Sequence, residues 1–418
     1  MIVRLARIGW SNLWRNPRRT VITVTGLALG MVMLAFTVSL TVGMSRDLID
    51  QGTGLLLGHV QIHARGYRPD RSIFDTIPGD GVQLAAQLRK QPGVLGAASR
   101  VNGYGLVSAG EQSAGADLLG VVPELEAEVS TLSRHVVAGT FLQTGGKAQR
   151  HQIVIGERLA RTLAITPGDE LVVLTQATDG SLGNDVYRVT GLFRTGVDQL
   201  DGGLVVMSLD DLQELLALPH PRIHEIAVRS ADPATARALA ARLAQHIAQE
   251  DIEVAAWPVL APDIAAYVAM SDGWMWILYA IVLTLAAMAV LNTMLMAVFE
   301  RFREFGVLTA LGMRPRHIIL LVVSEVAGLA VVSLAAAVLL GTPLIHWLVT
   351  SGVDLSRITG GFTMLGVAIG PVLRGAWVVR EFLLSAALLV GFALLGGLYP
   401  AARAAAVNPA RLTRGELR

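Results

Sequence analysis

The sequence predicts a membrane protein with four transmembrane α-helices and a large mixed α/β domain outside the cytoplasm, inserted between the first and second helices. Three observations carry that prediction. The 418 residues are 53% hydrophobic and only 16% charged, too apolar for an ordinary soluble chain. The apolar residues gather in four runs almost free of charge, each long enough for the about 20 helical residues that cross roughly 30 Å of hydrocarbon. Arginines cluster at alternate ends of those runs, as they do when one set of loops stays in the cytoplasm.

Taken in order, residues 1–19 place Val3, Ala6, Trp10, Leu13 and Trp14 on one helical face and Arg4, Arg7, Ser11 and Arg15 on the other. That is the pattern of an amphipathic helix lying in the membrane interface. Asn16-Pro17 breaks it before the first span, residues 20–43. This apolar run is longer than the core of a signal peptide, so an uncleaved helix is expected.

Residues 44–271 form the extracytoplasmic domain. HVQIHA and IVIG read as strands, and ERLARTLAI as a helix that ends at the turn Thr166-Pro167-Gly168-Asp169. ELVVLTQ and VYRVTGLF flank ATDGSLGND, which suggests a β-hairpin with a long exposed tip. Ser208 and Asp232 are placed to cap helices, the second with Pro233 at the first helical position, and the order IHEIAVR, helix, IEVAAW reads as a β-α-β unit.

The second span is residues 273–299, followed by a cytoplasmic segment at 300–316, the third span at 317–349, an extracytoplasmic loop at 350–379, the fourth span at 380–402 and a tail at 403–418. Arg4, Arg7, Arg15, Arg18 and Arg19, then Arg301, Arg303, Arg314 and Arg316, then Arg403, Arg411, Arg414 and Arg418 all fall on one side. The positive-inside rule makes that side the cytoplasm, with both termini there and the large domain periplasmic or extracellular. Glu325 lies about two turns into the third span, where a carboxylate needs a partner, and Arg314 or Arg316 is the expected one. Gly26 and Gly30 in the first span, and Ala387, Gly391, Ala393 and Gly397 in the fourth, have the small-residue spacing that lets helices approach closely.

Several kinds of chemistry are excluded. With no cysteine there is no disulfide or thiolate site, and a net charge of +1 without a basic stripe gives no nucleic-acid surface. The only Gly-Lys pair, Gly146-Lys147, lacks the rest of a phosphate-binding loop, and there is neither a G-x-S-x-G elbow nor an H-E-x-x-H zinc motif. His59 and His63 point to one face of a strand but are too few for a ligand set, so no metal site is expected. ERFREFGVLTALGMRPRH, from Glu300 to His317, therefore has to be explained without local catalysis. Phe302, Phe305, Leu308 and Leu311 give an apolar stripe, Arg301, Arg303 and Glu304 face water or a partner, and Gly306 and Gly312 keep the helix slim and let it end before Pro315. A push on this short helix would move the second and third spans together.

This stretch resembles the coupling region of the FtsX-like or MacB-like permeases, the type VII ABC transporters. NLWRNPRRTVITVTGLALG and YPAARAAAVNP are similar to the family's terminal signatures. GHVQIHARGY, IVIGERLARTLAITPGDEL and LDGGLVVMSLDDLQELL resemble the periplasmic domain of its lipoprotein-releasing LolC/LolE branch. The resemblance covers nearly the whole chain. It implies a dimer of permeases, the second a copy or a paralogue, bound to two ABC ATP-binding subunits that hold the ATP and magnesium, so that this chain needs no cofactor and is itself no enzyme. It implies mechanotransmission, in which nucleotide-driven closure inside moves the outer domains. On this chain Arg301, Phe302, Glu304, Phe305, Gly306, Leu308 and Gly312 fall in the coupling region, and Glu325 where the family often has an acid.

Extraction or release of lipoprotein, or of another lipid-like substrate, from the outer leaflet of the cytoplasmic membrane is the first functional expectation. Val24, Leu27, Met31 and Ile281 would then line the substrate cavity in contact with membrane lipids, and Asp179, Gly180 and Ser181 would meet a periplasmic carrier or adaptor. Two alternatives remain at this level. One is tripartite efflux of small toxic compounds or peptides. The other is an FtsX-like regulator of a cell-wall hydrolase that transports nothing.

Overall fold

The structure is a computed structural model that describes residues 2–143, 151–247, 249–356, 362–365 and 367–406. The tail beyond Ala406 and the Gly146-Lys147 pair lie outside the described residues. The chain divides into a helical unit, Met1–Ser45, Ala269–Leu355 and Val372–Arg418, and a sheet-rich unit, Arg46–Val268 and Ser356–Pro371.

Among the described residues the helical unit is built from helix α1 (Ile2–Leu13) and most or all of four helices long and apolar enough to span a membrane: α2 (Pro17–Gly52), α3 (Pro262–Glu300), α5 (Pro315–Thr350) and α6 (Val379–Ala405), with the end of α2 and the start of α3 running into the sheet-rich unit. A short helix, α4 (Phe302–Ala310), joins α3 to α5. Apolar residues go all the way round the long helices, so each buries one side in the bundle and leaves another for lipid. The bundle core takes Leu27, Met31 and Leu34 from α2, Val290 and Met294 from α3, Val322 and Val326 from α5, and Leu389 and Ala393 from α6. Two glycines of α6 set its approach. A Cβ on Gly396 would lie 2.6 Å from the Ala287 carbonyl oxygen of α3, and one on Gly397 would lie 2.6 Å from the Val326 side chain of α5.

Among the described residues ten strands make up the main sheet of the second unit: β1 (Val60–Ala64), β2 (Val94–Ala109), β3 (Gln112–Val121), β4 (Val136–Gly139), β5 (Gln152–Gly156), β6 (Glu170–Gln176), β7 (Leu182–Phe193), β8 (Leu204–Ser208), β9 (Glu225–Ser230) and β10 (Ile252–Ala256). The sixteen residues of β2 organise it. The first half of β2 pairs with β9, its second half with β6, and β3 runs along its other edge. The pairings β2-β3-β8-β5-β7-β6 then return to β2, so six strands close into a ring. Closure removes the open edges that a flat sheet of this size would expose. Val107, Leu118, Val173, Tyr187, Val205 and Ile155 lie on one side of the register and are all buried, which fills the inside of the ring.

Strands β9 and β10, with the helix Ala236–Ile247 between them, flank β1, which is antiparallel to both. The β-α-β unit read from sequence is thus a split one, because β1 occupies the central place. Ser208 and Asp232 cap their helices, accepting from the amides of Asp211 and Ala234 at 3.1 and 2.9 Å. A cluster of charged groups is enclosed beside β2. Arg100 of β2 donates two hydrogen bonds to Glu126, at 2.9 and 2.7 Å, and one to Glu225 of β9 at 2.8 Å.

Candidate functional site: the junction between α3 and α5

The chain leaves α3 at Arg301, whose backbone is no longer helical, and turns into α4. Glu304 in the first turn of α4 suits the positive end of its dipole. The far end is closed by a left-handed residue, Gly312 at φ +92°. The Met313 amide donates to the Leu308 carbonyl and the Gly312 amide to that of Thr309, both at 3.0 Å, which is a Schellman closure. Pro315 then opens α5 at a position where its missing amide hydrogen is not needed.

A chain of charges ties α4 to the bundle. Arg15, just after α1, grips Glu304 with two hydrogen bonds of 2.8 and 3.1 Å. Arg301 donates to Glu304 at 2.8 Å and to Glu325 of α5 at 2.7 Å, and its guanidinium lies 5.3 Å from the centre of the Phe305 ring. Asn12 of α1 donates to the same Glu325 oxygen at 2.5 Å. Beside this, Arg19 of α2 reaches Glu300 at 3.0 Å. Four segments, α1, α4, the end of α3 and the start of α5, thus share one network around a polar cavity of about 120 Å³.

The hydrogen bonds from Arg15 and then Arg301 hold the Glu304 carboxyl at a pKa of about 2. A carboxylate depressed in this way stabilises the junction fully above its unfolded pKa of about 4.3, and that contribution fades only as pH falls toward 2. Glu304 therefore stays ionised throughout physiological pH.

Helix α1 reaches the network by docking on α5. A Cβ on Gly9 would lie 2.3 Å from Ser324 Oγ and 3.2 Å from the Glu325 amide nitrogen, so a side chain there would force the Ser324 hydroxyl to turn away and tighten the backbone contact. Leu13 is buried in the contact, while Trp10 and Trp14 remain about half exposed.

Of the residues singled out in sequence, the structure joins Arg301, Glu304, Phe305 and Glu325 in one cluster. The partner of Glu325 is Arg301, with Asn12, instead of Arg314 or Arg316. Those two arginines are exposed near the start of α5, whereas Arg301 is brought in by the turn between helices. Phe305 and Gly306 are buried, Phe302 and Leu308 half-buried, and Gly312 sits at the exposed turn. The outer face of α4 carries Arg303, on the side where the sequence places it, with Val307, which the sequence reading does not single out, and Leu311, which the sequence groups with Phe302, Phe305 and Leu308. Arg303, Val307 (59% exposed) and Leu311 (80% exposed) recur every four residues and point away from the bundle. Their spacing was visible, but periodicity alone cannot tell which of two stripes faces inward.

The four cavity candidates do not share a face. Leu27 and Met31 are packed inside the bundle, 3% and 1% exposed, Val24 is half-buried, and only Ile281 is open, in the outward stripe Trp274, Ile277, Ile281 and Leu285 of α3. An i, i+3, i+4 run of apolar residues looks the same whichever way it points. In the sheet-rich unit Asp179 accepts from the Ser181 amide and hydroxyl at 2.9 and 2.6 Å, and Gly180 takes φ +85°, so the β6–β7 tip is a self-contained polar turn.

Four spanning helices, an internally clamped α4 and a sheet-rich insertion between the first two spans define a polytopic membrane protein built around the α3–α5 turn. The chain belongs to the permeases that combine a MacB-like periplasmic core domain, matched over residues 20–246, with an FtsX-like permease C-terminal region, matched over residues 276–409. It is a type VII ABC permease of the inner membrane with a periplasmic domain.

Three relatives show the range of the similarity. The lipoprotein-releasing system transmembrane protein LolC of Neisseria meningitidis is 25% identical over 413 residues, covering 95% of this chain and 94% of that protein. The macrolide export ATP-binding/permease protein MacB of Brucella abortus is 24% identical over 408 residues, covering 94% of this chain but 58% of that protein. The crystal structure of the periplasmic region of MacB from Actinobacillus actinomycetemcomitans matches 52% of this chain and 97% of that one, at 16% identity and a TM-score of 0.37.

Proposed function

We propose that this chain is the permease of a complex in which a separate ATP-binding subunit drives release of lipoprotein, or a closely similar lipid-anchored substrate, from the outer leaflet by mechanotransmission. Both termini and α4 lie in the cytoplasm on this reading, and two permeases pair with two ATP-binding subunits. The observation that carries it is the two-sided build of α4. Its inner face is clamped by Arg15, Arg301 and Glu325, so that it cannot move without the bundle, and its outer face offers Val307 and Leu311 beside Arg303. Exposed apolar knobs rimmed by charge are what a protein partner can grip. The choice of lipoprotein over a small toxic compound rests on the similarity to LolC, which extends over nearly the full length of both chains.

The test is co-purification with the ATP-binding subunit, followed by ATP-dependent release of an acylated lipoprotein from proteoliposomes. Leu311→Asp is expected to lose the ATP-binding subunit while the permease still inserts. Retention of that subunit by Leu311→Asp, with release at the wild-type rate, would reject the docking face.

A further inference from the structure

The sheet-rich unit holds a pocket of about 530 Å³ on the outside of the strand ring, within the roughly 300–1,000 Å³ range of small-molecule sites. One wall is apolar. It is formed by Leu55, Leu56 and Leu57, from the π-helical turn that follows α2, facing Leu119 and Leu204 of the sheet. The lining also includes the polar side chains of Asn102, His135 and Gln199. Two charged side chains of opposite sign, Arg71 and Asp117, also line it, and both are exposed. Neither has an ion-pair partner among the described residues, unlike Arg100 with Glu126 or Arg194 with Glu157.

The strand register carries the same apolar character beyond the pocket. Tyr104 lies opposite Asp117, and Leu106, two residues on, shares its face. They are 67% and 45% exposed, and Leu182 of β7, at 74%, lies on that side through β6. A leucine wall, an unpaired cation and an unpaired anion select a ligand that has an apolar chain and carries both charges. A plain hydrocarbon would leave Arg71 and Asp117 idle, and a free zwitterion would leave the leucines wet.

We propose that this pocket binds a zwitterionic amphiphile, its alkyl chain along Leu55–Leu57 and its head between Arg71 and Asp117. The site is distinct from the α4 junction, and its test does not depend on ATP.

The full-length protein is placed in nanodiscs of anionic phosphatidylglycerol and exposed to a lysophosphocholine with a diazirine on its alkyl chain. Labelled peptides are then mapped by mass spectrometry. Labelling is expected on the Leu55–Leu57 peptide, and Leu56→Trp, which fills the pocket, should reduce it by about tenfold, equivalent to about 1.4 kcal/mol. Leu200→Trp serves the same purpose should Leu56→Trp misfold. The Arg71→Gln/Asp117→Asn variant should lose about threefold with the zwitterionic probe and nothing with a glycerol-headed probe of the same chain, as suits exposed charges. Labelling confined to the apolar spans, undiminished labelling of a folded Trp variant, or full competition by phosphocholine without a chain would each overturn the assignment. None of these outcomes touches the coupling reading, which is judged by binding of the ATP-binding subunit.

Discussion

Charge reversal at Glu304 is expected to cut ATP-driven substrate release by more than about tenfold while leaving membrane insertion and fold intact, the factor corresponding to loss of one charge-assisted hydrogen bond of about 1.5–3 kcal/mol at the moment of force transfer. Glu304 is 42% exposed, so its pairs contribute only about 0–1 kcal/mol to stability in water. The consequence for coupling is larger because the same carboxylate is shared by Arg15 and Arg301. In Glu304→Arg three guanidinium groups would crowd one spot, and α4 would swing free of α1. Glu304→Gln keeps shape and some hydrogen bonding and should fall between that variant and the parent. Release and ATPase stimulation are measured on the reconstituted complex; wild-type values for both in Glu304→Arg would remove α4 from the force path. Arg301→Glu should behave alike, since it also sets a carboxylate against Glu325, which is 7% exposed.

The largest expected loss of stability lies elsewhere, at Arg100. Its side chain is 2% exposed and those of Glu126 and Glu225 are 1% and 12% exposed. Burial works against the Arg100 guanidinium, but the two carboxylates that share it favour its protonated form more strongly. Arg100→Met would leave two carboxylates close together in the interior, and breaking a buried pair by removing one partner costs about 3–5 kcal/mol. That is a large fraction of a domain's usual margin of about 5–15 kcal/mol. The variant is expected to melt well below the parent and to be degraded in cells. The triple variant Arg100→Met/Glu126→Leu/Glu225→Leu removes all the charges and should recover most of the loss, because apolar replacement of a whole buried cluster is often neutral. A thermal melt of the three proteins decides the matter. An Arg100→Met protein as stable as the parent would mean that the carboxylates find protons or water at little cost.

Much of the fold was legible because the membrane imposes a strong constraint. A chain that must satisfy every amide inside hydrocarbon forms helices of spanning length, so the four runs almost free of charge declare α2, α3, α5 and α6 directly. Local rules were equally readable at Gly312 and Pro315, where a left-handed stop and a helix start adjoin, and at the Ser208 and Asp232 caps. Long-range choices were hidden. Closure of the strand ring depends on β2 being long enough to hold β9 at one end and β6 at the other, which no local pattern announces. Asn12 and Arg301 converge on Glu325 from positions 313 and 24 residues away, so proximity in sequence pointed instead to Arg314 and Arg316. The docking of α1 had one signal, Gly9, a residue without a side chain in the middle of a helix. Which residues of α4 point away from the bundle follows only from the burial of Phe305 and the exposure of Leu311.

On the proposed mechanism, nucleotide-driven movement at α4 reaches the periplasmic domain. Because the chain has no cysteine, Ser181→Cys places a single spin label on the β6–β7 tip of each permease in the complex. The distance between the two labels is read by double electron–electron resonance, with and without ATP trapped in the partner subunits. The distance distribution is expected to shift on ATP trapping, and adding Glu304→Arg should abolish the shift while ATP is still bound. An unchanged distribution in the parent complex, or a full shift in the Glu304→Arg complex, would contradict that mechanism.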